Sequence, residues 1–116
     1  MQSLKAGLTC VVAFGAIVGA SQAAMAAGKQ CPEERSLRST DSRLETKLTF
    51  VNTTNAPVRI YWLNYQGRRE FYSNVAPGRN FAVDTFATHP WVATDSDEDC
   101  IGAYMPQPRP SVIQVR

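Results

Sequence analysis

Histidine occurs once in this 116-residue chain and cysteine three times. That scarcity argues against a transition-metal centre, which draws several ligands from these two residue types. Long apolar runs are missing too. Residues 8–18 are apolar apart from Thr9 and Gly15, and Gly19 and the polar pair Ser21-Gln22 follow, so the stretch falls short of the roughly 20 apolar residues of a membrane span. No block or stripe of basic residues is present to neutralise phosphates, which argues against nucleic acid as a partner. Beyond the N-terminus no ten-residue stretch repeats its apolar positions every 3.6 residues, so no substantial helix is expected.

What the N-terminus does have is the three parts of a secretory signal. Lys5 is its lone positive charge, residues 8–18 form the apolar run, and Ala24-Met25-Ala26 supplies small residues for cleavage after Ala26. Residues 1–26 therefore report an exported, secreted or periplasmic destination, with no membrane contact after cleavage. Without Lys5 the twelve Lys and Arg fall to eleven against ten Asp and Glu, a net charge of +1. Cys10 leaves with the signal. Cys31 and Cys100 remain, and an even pair in an oxidising compartment predicts one disulfide.

Residues 27–43 form a polar leader without apolar periodicity, pinned by Cys31. From residue 44 to 116 short runs of β-branched and aromatic residues alternate with turn signals at spacings near ten, which predicts an all-β domain. Leu48 and Phe50 alternate with Thr49 and Val51, and Asn52-Thr53-Thr54-Asn55 ends the run. Val58, Ile60 and Trp62 share one face while Arg59, Tyr61 and Leu63 share the other. Tyr65-Gln66-Gly67-Arg68 suits a hairpin turn with a positive φ at glycine. Residues 70–74 return, Ala76-Pro77-Gly78 is a second turn, and residues 81–86, 88–93, 100–104 and 112–115 are extended. The expectation is an antiparallel β-sandwich of six to eight short strands.

Trp62-Leu63-Asn64-Tyr65, with Tyr72, Thr85, His89 and Trp91, places large aromatics, a hydroxyl and the only imidazole within thirty residues. Such side chains can form an apolar box containing two hydrogen-bonding groups, suited to a ring that carries a hydroxyl. Together with Phe50, Asn52, Pro57, Gly67, Pro77-Gly78 and Asp95, these residues resemble the β domain of the von Hippel-Lindau tumour suppressor family, in gapless spacing from Phe50 to Asp95. The resemblance implies a β-sandwich that recognises 4-hydroxyproline in a peptide. Trp62, Tyr72 and Trp91 would line the ring slot, Thr85 and His89 would bond the ring hydroxyl, and the Tyr72 phenol would meet a peptide carbonyl. Thr85 stands where the family has serine. The family's helical domain is not matched, and the region after Asp95 aligns poorly, so ubiquitin-ligase subunits are not expected as partners.

The expected function is thus a non-enzymatic module that binds a protein or peptide bearing hydroxyproline, without cofactor or metal. The alternative is an exported scaffold or interaction module that has lost this specificity. An enzymatic use of Asp84, Thr85 and His89 meets the objection that neighbouring strand residues point to opposite faces. Asp95, Asp97 and Asp99 supply oxygens at alternate positions, but their loop lacks the glycine and final glutamate of an EF-hand and reads as a solvated hairpin tip. Asn52-Thr53-Thr54 has the form of a glycosylation sequon.

Overall fold

The computed structural model describes residues 28–116, so the secretory segment expected at 1–26 lies outside the described residues. A short 3₁₀ turn (Glu34–Ser36) precedes seven strands: β1 (Glu45–Asn52), β2 (Val58–Leu63), β3 (Arg69–Val75), β4 (Asn80–Phe86), β5 (Trp91–Thr94), β6 (Cys100–Tyr104) and β7 (Ser111–Val115). They form a three-stranded sheet in the order β4-β1-β7 and a four-stranded sheet in the order β3-β2-β5-β6. The result is a β-sandwich. One neighbour pair, β1 with β7, runs parallel. A parallel neighbour requires a crossover, and here the chain leaves β6 in the other sheet and passes the bend at Pro106–Pro110 before entering beside β1.

Alternation along β1 and β2 fills the space between the sheets. Leu48 and Phe50 from one sheet meet Val58, Ile60, Val75, Trp91 and Ala93 from the other, with Val115 closing one end. Phe50 packs at 6.0 Å centroid separation against both Trp91 and Tyr104, distances favourable to tilted and edge-on aromatic pairs. Burial pushes the Tyr104 phenol above its ordinary range. The neutral phenol therefore stabilises the fold below its unfolded pKa near 10, and that contribution is lost as pH rises through the raised folded value.

The opposite face of β2 is also buried. Tyr61, Leu63 and Val92 form a second apolar cluster, covered by Leu37 of the leader and by Cys100 and Ala103. β5 is buried at all four positions as a result. The leader is thus a packed layer. Cys31 and Cys100 are joined by a disulfide with Cα atoms 5.3 Å apart. Beside it the fully buried Glu34 carboxylate accepts the Cys31 N–H at 3.0 Å and two guanidinium bonds from Arg69, Nε at 2.7 Å and Nη2 at 2.9 Å. Arg69 also donates to the backbone oxygens of Glu98 and Lys29. The hydrogen bond with Glu34 raises the Arg69 pKa despite the opposing effect of burial, so the guanidinium stays charged throughout the ordinary pH range.

Two features read from the sequence gain a structural explanation. Asn52 ends β1 with no exposed surface, and its amide donates to Ala56 O and Val75 O at 2.8 and 2.9 Å. The sequon asparagine is therefore a structural clamp in the folded state, withdrawn from modification. Asp95 Oδ1 accepts the N–H groups of Asp97 and Asp99 at 2.9 and 3.0 Å, which organises the acidic loop as an Asx turn.

Gly67 has φ +78°, and a Cβ there would lie 3.2 Å from the Leu37 carbonyl oxygen of the leader. Gly67→Ala is expected to cost about 1–2 kcal/mol from the left-handed backbone alone. Urea unfolding of the variant measures this as a lowered midpoint with an unchanged slope.

Candidate ligand-binding site

The cavity lies beside β3 and β4, which are edge strands of the two sheets. β4 belongs to one sheet and β5 to the other, and the turn between them carries the chain across. His89 sits in that turn, held by its N–H bond to the Phe86 carbonyl at 3.0 Å, with Pro90 following and accepting the Leu63 N–H. Thr85, His89 and Trp91 therefore do not share one extended strand. A sheet crossing brings them together, and Thr88-His89 belongs to a turn while the strand starts at Trp91.

Tyr72 reaches the same place through a bulge. Ile60 pairs with Ser73 and Tyr61 with Phe71, so Tyr72 is the extra residue of β3. A bulge bends the strand and re-aims its side chain. The Tyr72 ring meets Trp91 edge-on at 4.8 Å, while Phe71 packs on Tyr61 at the outer face.

Trp62, Tyr72, Thr85, His89 and Trp91 all line one cavity of about 210 Å³, together with Tyr65, Asp84 and Phe86. Its floor is buried: Trp91, Thr85 and His89 are 2%, 6% and 8% exposed. Tyr72 and Tyr65 stand at the mouth, 48% and 46% exposed. The Trp91 indole N–H donates to Thr85 Oγ1 at 3.0 Å. That bond fixes both floor residues and leaves the threonine O–H as a donor with acceptor capacity to spare. His89 is enclosed by aromatic rings, Trp62 at 5.6 Å, Tyr65 at 5.4 Å and Phe86 at 5.1 Å between centroids. Its Nε2 lies 3.3 Å from the Tyr65 hydroxyl.

Tyr65 and Phe86 were not singled out as site residues from the sequence. Tyr65 was visible as part of the Trp-Leu-Asn-Tyr run, but nothing in the spacing says that the hairpin turn folds its ring onto the imidazole. Phe86 follows Thr85 directly and by alternation would point away. It reaches the cavity because the strand ends there. Asp84 borders the rim as an exposed residue. Thr85 bonds Trp91 and His89 bonds Tyr65, so no carboxylate, imidazole and hydroxyl are linked in a relay.

Two other clefts, of about 570 and 340 Å³, run along the leader between Gln30, Arg38 and the Gln66–Gly67 turn and beside Tyr61 and Arg69. They gather no comparable set of converging groups. Cys31, Glu34 and Cys100 lie close enough to suggest a metal cluster, but the sulfurs are joined to each other and the carboxylate is committed to Arg69.

The family model of the VHL beta domain matches residues 37–102, more than half of the chain. The chain belongs to the VHL beta-domain family. A curated relative, Protein Vhl of Drosophila melanogaster, is 32% identical over 53 residues, which are 46% of this chain and 30% of the fly protein. The chain thus matches less than a third of that relative's length. All five cavity residues named from the sequence fall inside the VHL match, as does Cys100, whereas Cys31, Glu34 and the 3₁₀ turn precede it.

Proposed function

We propose that this VHL beta domain is a non-catalytic binding module for a peptide that carries 4-hydroxyproline, in an exported protein. The observation that carries the reading is the pairing of a buried Thr85 hydroxyl and His89 imidazole at the floor of a cavity walled by Trp62, Tyr72 and Trp91. A volume of about 210 Å³ is below the roughly 300–1,000 Å³ of sites for drug-sized ligands, and suits a single ring. The aromatic walls favour a compact apolar ring and the two polar groups reward a hydroxyl on it. Tyr72, half exposed at the mouth, is placed to offer its phenol to the backbone that carries the ring. The disulfide is compatible with an oxidising compartment, which supports the exported setting.

The test is a titration with paired peptides that differ only in the proline hydroxyl. Ordering the ring in the cavity desolvates Thr85 and His89, and an unhydroxylated ring leaves the Thr85 O–H without an acceptor and His89 with only its 3.3 Å contact to Tyr65, at about 1–3 kcal/mol each. The expected discrimination is about tenfold to a thousandfold or more. Equal affinity for the two peptides would reject the reading and leave a general interaction module.

A further inference from the structure

We propose that Ser39 and Thr40 are positioning residues for the aromatic cavity, through which the disulfide-anchored leader sets the spacing of Tyr65 and His89. The inference rests on the peptide-binding reading for its consequence, but its structural core does not. From Cys31 the leader makes its 3₁₀ turn, lays Leu37 on the Tyr61–Leu63–Val92 cluster and arrives at the two turns that carry Tyr65 and His89. Ser39, 2% exposed, donates its hydroxyl to Leu63 O at 2.6 Å and its N–H to Asn64 O at 3.1 Å. Tyr65 follows directly. Thr40 N–H donates to Thr88 O at 3.3 Å, and the Thr88 hydroxyl returns a bond to Thr40 O at 2.7 Å. His89 follows directly.

Two consecutive leader residues therefore hold the hairpin turn bearing Tyr65 and the sheet-crossing turn bearing His89. Asn64 and Thr88 lie outside the strands, and the leader's bonds act beside one backbone bond that joins the bases of the two turns, from Leu63 N–H to Pro90 O at 3.0 Å. The separation matters because Tyr65 Oη and His89 Nε2 are 3.3 Å apart, near the long limit of a hydrogen bond. A shift of either turn by a few tenths of an ångström decides whether that bond forms. It also decides how the imidazole nitrogen is presented to a ligand hydroxyl. The brace is covalently anchored at its far end by Cys31–Cys100, and Cys31 precedes the stretch matched by the VHL family while Cys100 falls inside it.

The experiment compares Thr88→Val, which removes the bond to Thr40, with Thr88→Ser, which keeps it, and with Ser39→Ala. The single histidine of the chain gives one set of imidazole ¹⁵N and ring-proton signals, read without ligand in the full mature protein. Thr88→Val and Ser39→Ala are expected to change the Nε2 shift and weaken the Tyr65–His89 cross-relaxation, and Thr88→Ser to restore both. With a hydroxyproline peptide that binds the wild type, the same variants should lose about threefold to tenfold in affinity. Imidazole signals unchanged in Thr88→Val and Ser39→Ala would overturn the proposal. So would a change that Thr88→Ser reproduces instead of reversing. If the imidazole responds as expected while no hydroxyproline peptide binds even the wild type, the brace stands and the ligand assignment fails.

Discussion

Replacing Cys31 and Cys100 by serine is expected to lower the stability of the β-sandwich domain by about 4 kcal/mol. In the chain-entropy picture the gain from a crosslink grows with the logarithm of the loop it closes. The two cysteines are separated by 69 positions, and the bond spans most of the described chain. The native state adds little cost to the crosslink, since the leader already lies against the sheet: Cys100 N–H donates to Lys29 O at 2.8 Å, and the Lys29 N–H donates to Asp99 Oδ1 at 2.7 Å. For a domain of this size, total stability of 5–15 kcal/mol is typical, so a loss of about 4 kcal/mol approaches collapse. Urea unfolding of the oxidised protein against the Cys31→Ser/Cys100→Ser variant measures it. A difference below about 1 kcal/mol would show that leader packing, not the crosslink, supplies the stability.

The reason the leader was read from sequence as a polar arm is chemical. Glu34 and Ser39 are buried because of what they bond, and no hydrophobic pattern announces such burial. The Glu34–Arg69 pair joins residues 35 positions apart, a separation that only the fold reveals. The strands themselves were legible, because alternation in 48–51 and 58–63 is a direct consequence of one-sided burial. β2 shows what that logic leaves open: parity puts Tyr61 and Leu63 on the face opposite Ile60 without saying what covers it, and they are 5% and 0% exposed with Leu37 of the leader packed on their cluster. Gly67 was legible as a positive-φ position and Gly78 as part of a turn, and both have φ 78°. The parallel entry of β7 was not, since strand direction depends on the crossover and leaves no mark on periodicity.

The aromatic cluster was legible as a set and illegible as a geometry. Residue types and the family resemblance nominated Trp62, Tyr72, Thr85, His89 and Trp91, and the cavity has all five in its wall. What brings them together is a bulge at Tyr72 and a crossing between sheets at His89. Neither follows from counting residues along a strand. The hydrogen bond from Trp91 to Thr85 is equally a product of that crossing, and it changes how variants of the site must be chosen.

His89→Ala and Thr85→Val are each expected to reduce the preference for a hydroxylated peptide by about tenfold to a hundredfold, with affinity for the hydroxylated peptide falling and affinity for the unhydroxylated one rising. The asymmetry follows from where the loss occurs. In the wild type the hydroxyl of the ring has partners and the bare ring strands them, at about 1–3 kcal/mol per group. Removing a group deletes its bond to the hydroxyl and also deletes the penalty it imposes on proline, so the two affinities converge, at about 1.4 kcal/mol per tenfold. Thr85→Val has a second consequence, because it leaves the buried Trp91 indole N–H without the acceptor at 3.0 Å. That variant should therefore also lose about 1–3 kcal/mol of stability, which His89→Ala does not share through this bond. Thr85→Ser keeps the hydroxyl and is the control that separates the two effects: it should retain both the selectivity and most of the stability. The decisive measurement is the ratio of the two peptide affinities for each variant. If His89→Ala and Thr85→Val weaken both peptides in equal proportion, these side chains act on the shape of the cavity and not on the ring hydroxyl, and the assignment of hydroxyproline to this site is lost.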